Sequence, residues 1–269
     1  MRTEQIAFIG GGNMAEAILG GLLAGGVSTP QRLRVADIAP ERRAWLAETY
    51  AVTVTDDAAE AVRDAAVVIL AVKPQQAAEV LSAVAPALSP AQLVVSICAG
   101  LPTATLESWV PARVARVMPN LPALVGKGVS AICGGSRATA ADLDLVAELF
   151  AAVGLVVRLP ESQMNEVTAL SGSGPGYVFA FIEALATTGV KMGLPEDAAW
   201  AMARETVRGA AELAAHTGEH PADLRRKVCS PGGTTLAGLA AMESAGFSAA
   251  VAAGMQAARQ RAAELAGAS

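Results

Sequence analysis

The sequence predicts an α/β domain followed by an all-helical one. Three observations carry that reading. Over residues 1–160, short apolar runs alternate with helical patterns of about ten residues, the mark of βαβ units on a parallel sheet. The first apolar run opens directly into a glycine-rich loop and a helix. After Pro160 no convincing strand pattern appears.

Taken in order, Gln5–Ile9 reads as a strand and Asn13–Ala24 as a helix. Leu33–Ala36 is a strand that ends at Asp37, and Pro40–Thr49 is helical. Val52–Val54, Val67–Val72, Leu93–Ile97 and Arg113–Met118 continue the strands, with a helix at Gln75–Val84. Gly128–Cys133 and Leu155–Arg158 flank a helix at Thr139–Ala152. The remainder is helical: Pro175–Met192, Pro195–His216, Ala222–Val228, Thr234–Glu243 and Ser248–Ala266. The boundary is placed at 160/161, giving domains over 1–160 and 161–269. Long apolar helices such as Tyr177–Ala186 need more partners than one short domain supplies, so a homodimer built on these helices is expected.

At 269 residues the chain suits two modest domains. Hydrophobic residues make up 53% and aromatics 4%, so the bulk of the core is Ala, Val, Leu and Gly. A net charge of −5 gives no general attraction to phosphate backbones, and no nucleic acid partner is expected. Mean hydropathy is +0.42. No uninterrupted apolar run approaches the roughly 20 residues that span a bilayer, so no membrane is expected either. The chain passes from Met1-Arg2-Thr3 almost at once into the strand that carries the functional loop, so no removable signal is expected. Cys98, Cys133 and Cys229 are widely spaced and form no CxxC pair. They read as small buried side chains in a reducing cytoplasm.

Residues 6–15 run IAFIGGGNMA, a buried strand entering G-x-G-x-x-A and then a helix. Gly10 permits the tight turn, Gly12 lets a pyrophosphate approach backbone N–H groups, and Ala15 lets helix and strand pack closely. Asn13 and Met14 open the helix, whose N-terminus offers free donors and partial positive charge. The context of strand, turn and helix makes this a Rossmann-type dinucleotide-binding domain. Asp37 closes the second strand. There it either bonds a ribose 2′-hydroxyl and repels a 2′-phosphate, or caps its loop. Arg42 and Arg43 follow closely and pull the other way, so NAD(H) and NADP(H) both stay open. Val72-Lys73-Pro74 ends the fourth strand at the same sheet edge. Lys73 is read as a positional residue with Pro74 fixing the backbone, in preference to a catalytic amine.

Three further segments combine with this loop: Arg116–Ala123, which includes Met118 and Asn120, Leu170–Pro175, and Ser230–Leu239. The last two are small, hydroxyl-rich and placed at helix starts, where backbone donors hold a carboxylate or Ser and Thr serve as ordinary caps. Together, FIGGGNMA at 8–15, AVKPQ at 71–75, VMPN at 117–120, TALSGSGP at 168–175 and SPGGTT at 230–235 resemble the pyrroline-5-carboxylate reductase family. The resemblance implies a helical dimerisation domain, assemblies of dimers, and reduction of 1-pyrroline-5-carboxylate to L-proline, the last step of proline biosynthesis. It favours NADP(H) as cofactor, with NAD(H) kept open by Asp37. It implies that Thr235 contacts the substrate nitrogen, while Ser230 and the backbone of Gly232, Gly233, Thr234 and Thr235 cradle the substrate carboxylate. It also assigns Met118 and Asn120 to the cofactor. Leu121 stands where the family usually has Thr.

The chemistry is hydride transfer to a protonated cyclic imine. That proton comes readily from water near neutral pH, so the site needs positioning more than a strong acid. His216 and His220 have i,i+4 spacing, but Gly218 and Pro221 mark a helix end and no metal site is expected. Cys229 has nothing nearby in sequence to lower its pKa. Two rivals remain in view. One is a β-hydroxyacid dehydrogenase, which needs a catalytic Lys where this chain has Ser171–Pro175. The other is a non-catalytic dinucleotide-binding protein, which has no need of SPGGTT.

Overall fold

The structure, a computed structural model, describes residues 4–267. It packs as two compact units. One comprises the chain up to Ser173 together with the residues from Ala258 onward; the other is Gly174–Ala257. The domain read over 1–160 lies within the first unit, and residues 161–173 pack with it as well. Met1–Thr3 lies outside the described residues.

The first unit opens with β1 (Ile6–Ile9), α1 (Asn13–Ala24), β2 (Leu33–Ala36) and α2 (Pro40–Tyr50). It continues with β3 (Thr53–Thr55), α3 (Ala58–Val62), β4 (Val67–Leu70) and α4 (Ala77–Val84). Then come β5 (Leu93–Ser96), α5 (Thr103–Trp109), β6 (Arg113–Met118), β7 (Gly128–Gly134), α6 (Ala140–Ala151), β8 (Gly154–Arg158) and α7 (Met164–Val167). The strands form one sheet of order β3-β2-β1-β4-β5-β6-β7-β8. The order reverses between β1 and β4, which opens the crevice at the strand ends where α/β sheets bind ligands.

Both faces of the sheet are covered, so the strands read as continuous apolar runs. On one face Phe8, Ile69, Val95 and Val117 pack under Ile18, Leu22 and Phe150. On the other Ile9, Val68, Leu70 and Val94 pack under Leu81, Val84 and Leu106. Two departures from expectation have physical causes. The short helices α3 and α5 were not expected, because five and seven residues carry too little periodicity. The sheet is also not wholly parallel, since β7 runs antiparallel to β6. The link between them holds only a 3₁₀ turn at Leu121–Val125, too short for the crossover that parallel strands require.

The second unit contains α8 (Gly174–Lys191), α9 (Glu196–Thr217), α10 (Pro221–Lys227) and α11 (Thr234–Ser244). The last helix, α12 (Phe247–Gly267), starts here and ends in the first unit. Gly218 at φ +65° ends α9 in the left-handed conformation that a side chain would disfavour. Phe179, Phe181, Leu185, Met192, Trp200 and Met202 are exposed on α8, the link after it and α9. So much exposed apolar surface is what an interface between protomers presents. Among the described residues no single helix is long and apolar enough to cross a membrane.

Candidate active site

The glycine loop leaves the sheet between β2 and β4, and each glycine answers to a different neighbour. Gly10 has φ +93°, and a Cβ there would stand 2.8 Å from the carbonyl oxygen of Ala71, so no other residue fits. Gly11 is buried, and a Cβ would meet Leu46 Cδ1 at 2.7 Å. Its N–H donates to Asp37 Oδ2 at 2.7 Å, and its carbonyl accepts from Arg42 Nε. Gly12 differs from both: its φ is −66°, and an added Cβ would meet nothing within 4 Å. The protein itself does not require glycine at position 12. No side chain caps α1, so its first N–H groups are open to an outside acceptor. Open space over uncapped donors fits the pyrophosphate of a dinucleotide.

A cleft of about 380 Å³ lies over this loop. It gathers Gly10, Gly12, Asp37, Val72 and Lys73 from the expected residues, and adds Ile38 and Asp56, which sequence reading did not single out. Asn13 and Met14 stand at the start of α1. Lys73 is exposed, and Pro74 opens a 3₁₀ turn at Pro74–Gln76 that fixes the chain after β4. Regular strand ends at Leu70 rather than Val72, which leaves Ala71–Lys73 to line the cleft.

The carboxylate of Asp37 also accepts from the Ala39 N–H at 2.8 Å, so it braces both the glycine loop and its own turn. Neither nearby arginine lines the cleft. Arg42 bonds Glu16 Oε2 at 2.5 Å and lies 4.6 Å over the Trp45 ring. Arg43 donates to the carbonyls of Asp37 at 2.7 Å and Ile38 at 3.1 Å, with Asp56 Oδ2 at 3.4 Å.

Met118 ends β6 and Asn120 follows it, and both meet the segment after α7. That segment, Thr168–Gly172, is a π-helical turn of the kind that recurs at functional sites. Asn120 is buried; its Nδ2 donates to the Ser171 carbonyl at 2.9 Å and its Oδ1 accepts from Val129 N at 2.8 Å. A Cβ on Gly172 would stand 2.6 Å from Met118 Cε. Glu161 joins the same region to the sheet, meeting Arg116 Nη1 at 3.2 Å and the Thr103 N–H at 2.7 Å.

In the second unit, SPGGTT forms a turn and then a helix start. Gly233 N donates to the Ser230 carbonyl at 2.9 Å, Pro231 takes the second position, and Gly232 has φ +71°. This is the pattern of a type II turn. Gly233 is the N-cap of α11 with no side-chain cap, and Thr234 and Thr235 occupy the first two helical positions, exposed. Thr235 therefore does not cap its helix; its hydroxyl and the first-turn N–H groups are available together.

His220 Nδ1 accepts from Ala222 N and caps α10, which accounts for one member of the histidine pair. No cluster of metal-ligating side chains occurs among the described residues. Burial pushes the thiols of Cys98 and Cys133 up to about 11, so neither is a thiolate near neutral pH.

Residues 161–265 match the pyrroline-5-carboxylate reductase dimerisation family, and residues 5–100 match the family of NADP oxidoreductases described as coenzyme F420-dependent. A pyrroline-5-carboxylate reductase of Pseudomonas aeruginosa is 46% identical over 269 residues, 99% of this chain and 98% of that protein. The chain belongs to the pyrroline-5-carboxylate reductase family. The solved reductase of Coxiella burnetii superposes with a TM-score of 0.92 at 36% identity, covering 98% of this chain and 99% of that one. The Plasmodium falciparum reductase, solved with NADP bound, gives 0.89 at 29% identity over 99% of each chain. The protein is thus an NAD(P)H-dependent oxidoreductase that reduces 1-pyrroline-5-carboxylate to L-proline, and it is a homo-oligomer. Membership in this reductase family sets aside the β-hydroxyacid dehydrogenase and non-catalytic readings.

Proposed function

We propose that the first unit holds the dinucleotide on Gly10, Gly12, Asn13 and Met14, with Asp37 at its ribose end and Val72, Lys73 and Pro74 along the β4 edge. Met118 and Asn120 complete the β6 side, Asn120 by holding the Thr168–Gly172 turn in place. The bound nicotinamide supplies a hydride to the imine carbon. Ser230 and the N–H groups of Gly232, Thr234 and Thr235 hold the substrate carboxylate, while the Gly233 N–H, committed to the Ser230 carbonyl, sets the turn; the Thr235 hydroxyl contacts the ring nitrogen. The observation that carries this reading is the uncapped start of α11 behind a glycine turn, with Thr235 outside any capping bond. A carboxylate there meets free N–H groups and the positive end of the helix dipole.

NADH is favoured over NADPH in this reading, although the Plasmodium relative has NADP bound. Two carboxylates, Asp37 and Asp56, line the cleft, while Arg42 and Arg43 are turned to partners within the protein. A 2′-phosphate would meet like charge without a facing guanidinium. Three free cysteines fit a reducing cytoplasm.

Thr235→Val tests the assignment by keeping shape and deleting the hydroxyl. A hydrogen bond to a charged group contributes about 1.5–3 kcal/mol, so kcat/KM for the imine should fall roughly 10- to 150-fold. The dinucleotide Kd should stay within about twofold. An unchanged kcat/KM removes Thr235 from the chemistry.

A further inference from the structure

We infer that Arg42, anchored by Glu16, is a positioning residue for the cofactor: it orients the Gly11–Gly12 peptide so that the Gly12 N–H faces the pyrophosphate. The inference rests on dinucleotide binding in the cleft above the glycine loop.

The geometry begins with the peptide plane. The described chain contains no cis peptide bonds. In a trans peptide the C=O and the following N–H point in opposite directions. The Gly11 carbonyl is held by Arg42 Nε, and Arg42 does not line the cleft. The Gly12 N–H must therefore point away from Arg42. It has no hydrogen-bond partner among the described residues, and Gly12 itself lines the cleft. The plane on the other side of Gly11 is fixed too, since its N–H donates to Asp37 Oδ2 at 2.7 Å. Gly11 is thus gripped at both ends, and the loop has little freedom to turn its donors elsewhere.

Arg42 is itself fixed in three ways. Its Nη2 bonds Glu16 Oε2 at 2.5 Å, its guanidinium carbon lies over the Trp45 ring 4.6 Å from the centroid, and Glu16 Oε1 accepts from the Tyr50 hydroxyl at 3.3 Å. A guanidinium presents its donors in a rigid fork, so one side chain reaches Gly11 through Nε and Glu16 through Nη2 at once. A lysine ammonium at the same place supplies the charge without the fork. This separates the proposal from simple charge attraction, which lysine would preserve.

The test measures Kd for NADH, NADPH and ADP, which contains the diphosphate, alongside steady-state kinetics and Tm. In Arg42→Met, all three Kd values should rise by about 10-fold or more, the effect of losing one well-aimed bond to a charged group. KM for the dinucleotide should follow, while kcat at saturation and KM for the imine stay within about twofold. Arg42→Lys should show most of the same loss. Glu16→Gln keeps the acceptor but weakens the anchor, and should give a smaller loss with the same pattern; it also covers the case in which Arg42→Met fails to fold. Kd values within twofold of the parent in Arg42→Lys would overturn the proposal. So would a fall in kcat and Tm with unchanged dinucleotide Kd.

Discussion

Gly12→Ala separates what the fold needs from what the cofactor needs. At Gly12 the backbone is at φ −66° and ψ −177°, which alanine adopts without strain, and an added Cβ meets nothing within 4 Å. Two small effects on stability oppose each other. Alanine is a poorer N-cap than glycine, while Gly→Ala lowers unfolded-state entropy by the equivalent of about 0.4–1 kcal/mol. The net change should lie within about 1 kcal/mol, a Tm shift of roughly 2–4 °C. Binding should respond differently. A methyl in the space over the donors displaces the pyrophosphate and forfeits one or two charge-assisted bonds of about 1.5–3 kcal/mol each. Kd for NADH should rise at least about 10-fold and as much as several hundredfold. Thermal melts and titration calorimetry on one preparation measure both quantities. Unchanged NADH affinity would show that the pyrophosphate does not lie over Gly12. A large fall in Tm would show that the fold does require glycine there.

Asp37→Ser should raise the NADPH-to-NADH ratio of kcat/KM. Like charges about 6 Å apart in a half-exposed cleft cost ~1 kcal/mol per charge pair, so a shift of about 5- to 50-fold is expected. Because the loop contact to Gly11 serves both cofactors, the ratio isolates the 2′ group, and an unchanged ratio would place Asp37 away from the ribose. Glu107 gives a pH signature. Burial alone would raise its pKa, but the N–H of Arg137, the Ser136 hydroxyl and the Arg137 guanidinium outweigh burial and hold the carboxyl below its ordinary 4.5. A lowered folded pKa gives stability that is present above the unfolded value and lost as pH falls through and below it. Glu107→Gln should therefore flatten the decline of Tm between about pH 5 and pH 3 while lowering Tm at pH 7.

Much of the first unit was legible because its strands are unbroken apolar runs closed by strong punctuation. Leu33–Ala36, Arg113–Met118 and the helix Asn13–Ala24 lie where periodicity put them. The direction of β7 was not legible, because it depends on how short the link through Leu121–Val125 is, and that link reads only as loop. The glycine loop was legible as a motif, but its bracing was not. Arg42 read as a competitor for the 2′-phosphate, whereas its Nε bonds a carbonyl 31 positions away in the chain. Asn120 carries no local sign that its amide ties β7 to a π-helical turn, with one partner 9 and the other 51 residues distant. Such roles arise from tertiary contact, where neither periodicity nor spacing reaches. Thr235 is the opposite case: its turn and helix start follow from the local string SPGGTT.

The most direct test is the oxidation of NADH and NADPH by purified protein, followed by the loss of the reduced nicotinamide's absorbance. Turnover is expected only when 1-pyrroline-5-carboxylate or a closely similar cyclic imino acid is added, with L-proline formed in equal amount. Turnover of a 3-hydroxy acid with 1-pyrroline-5-carboxylate inert would contradict this expectation.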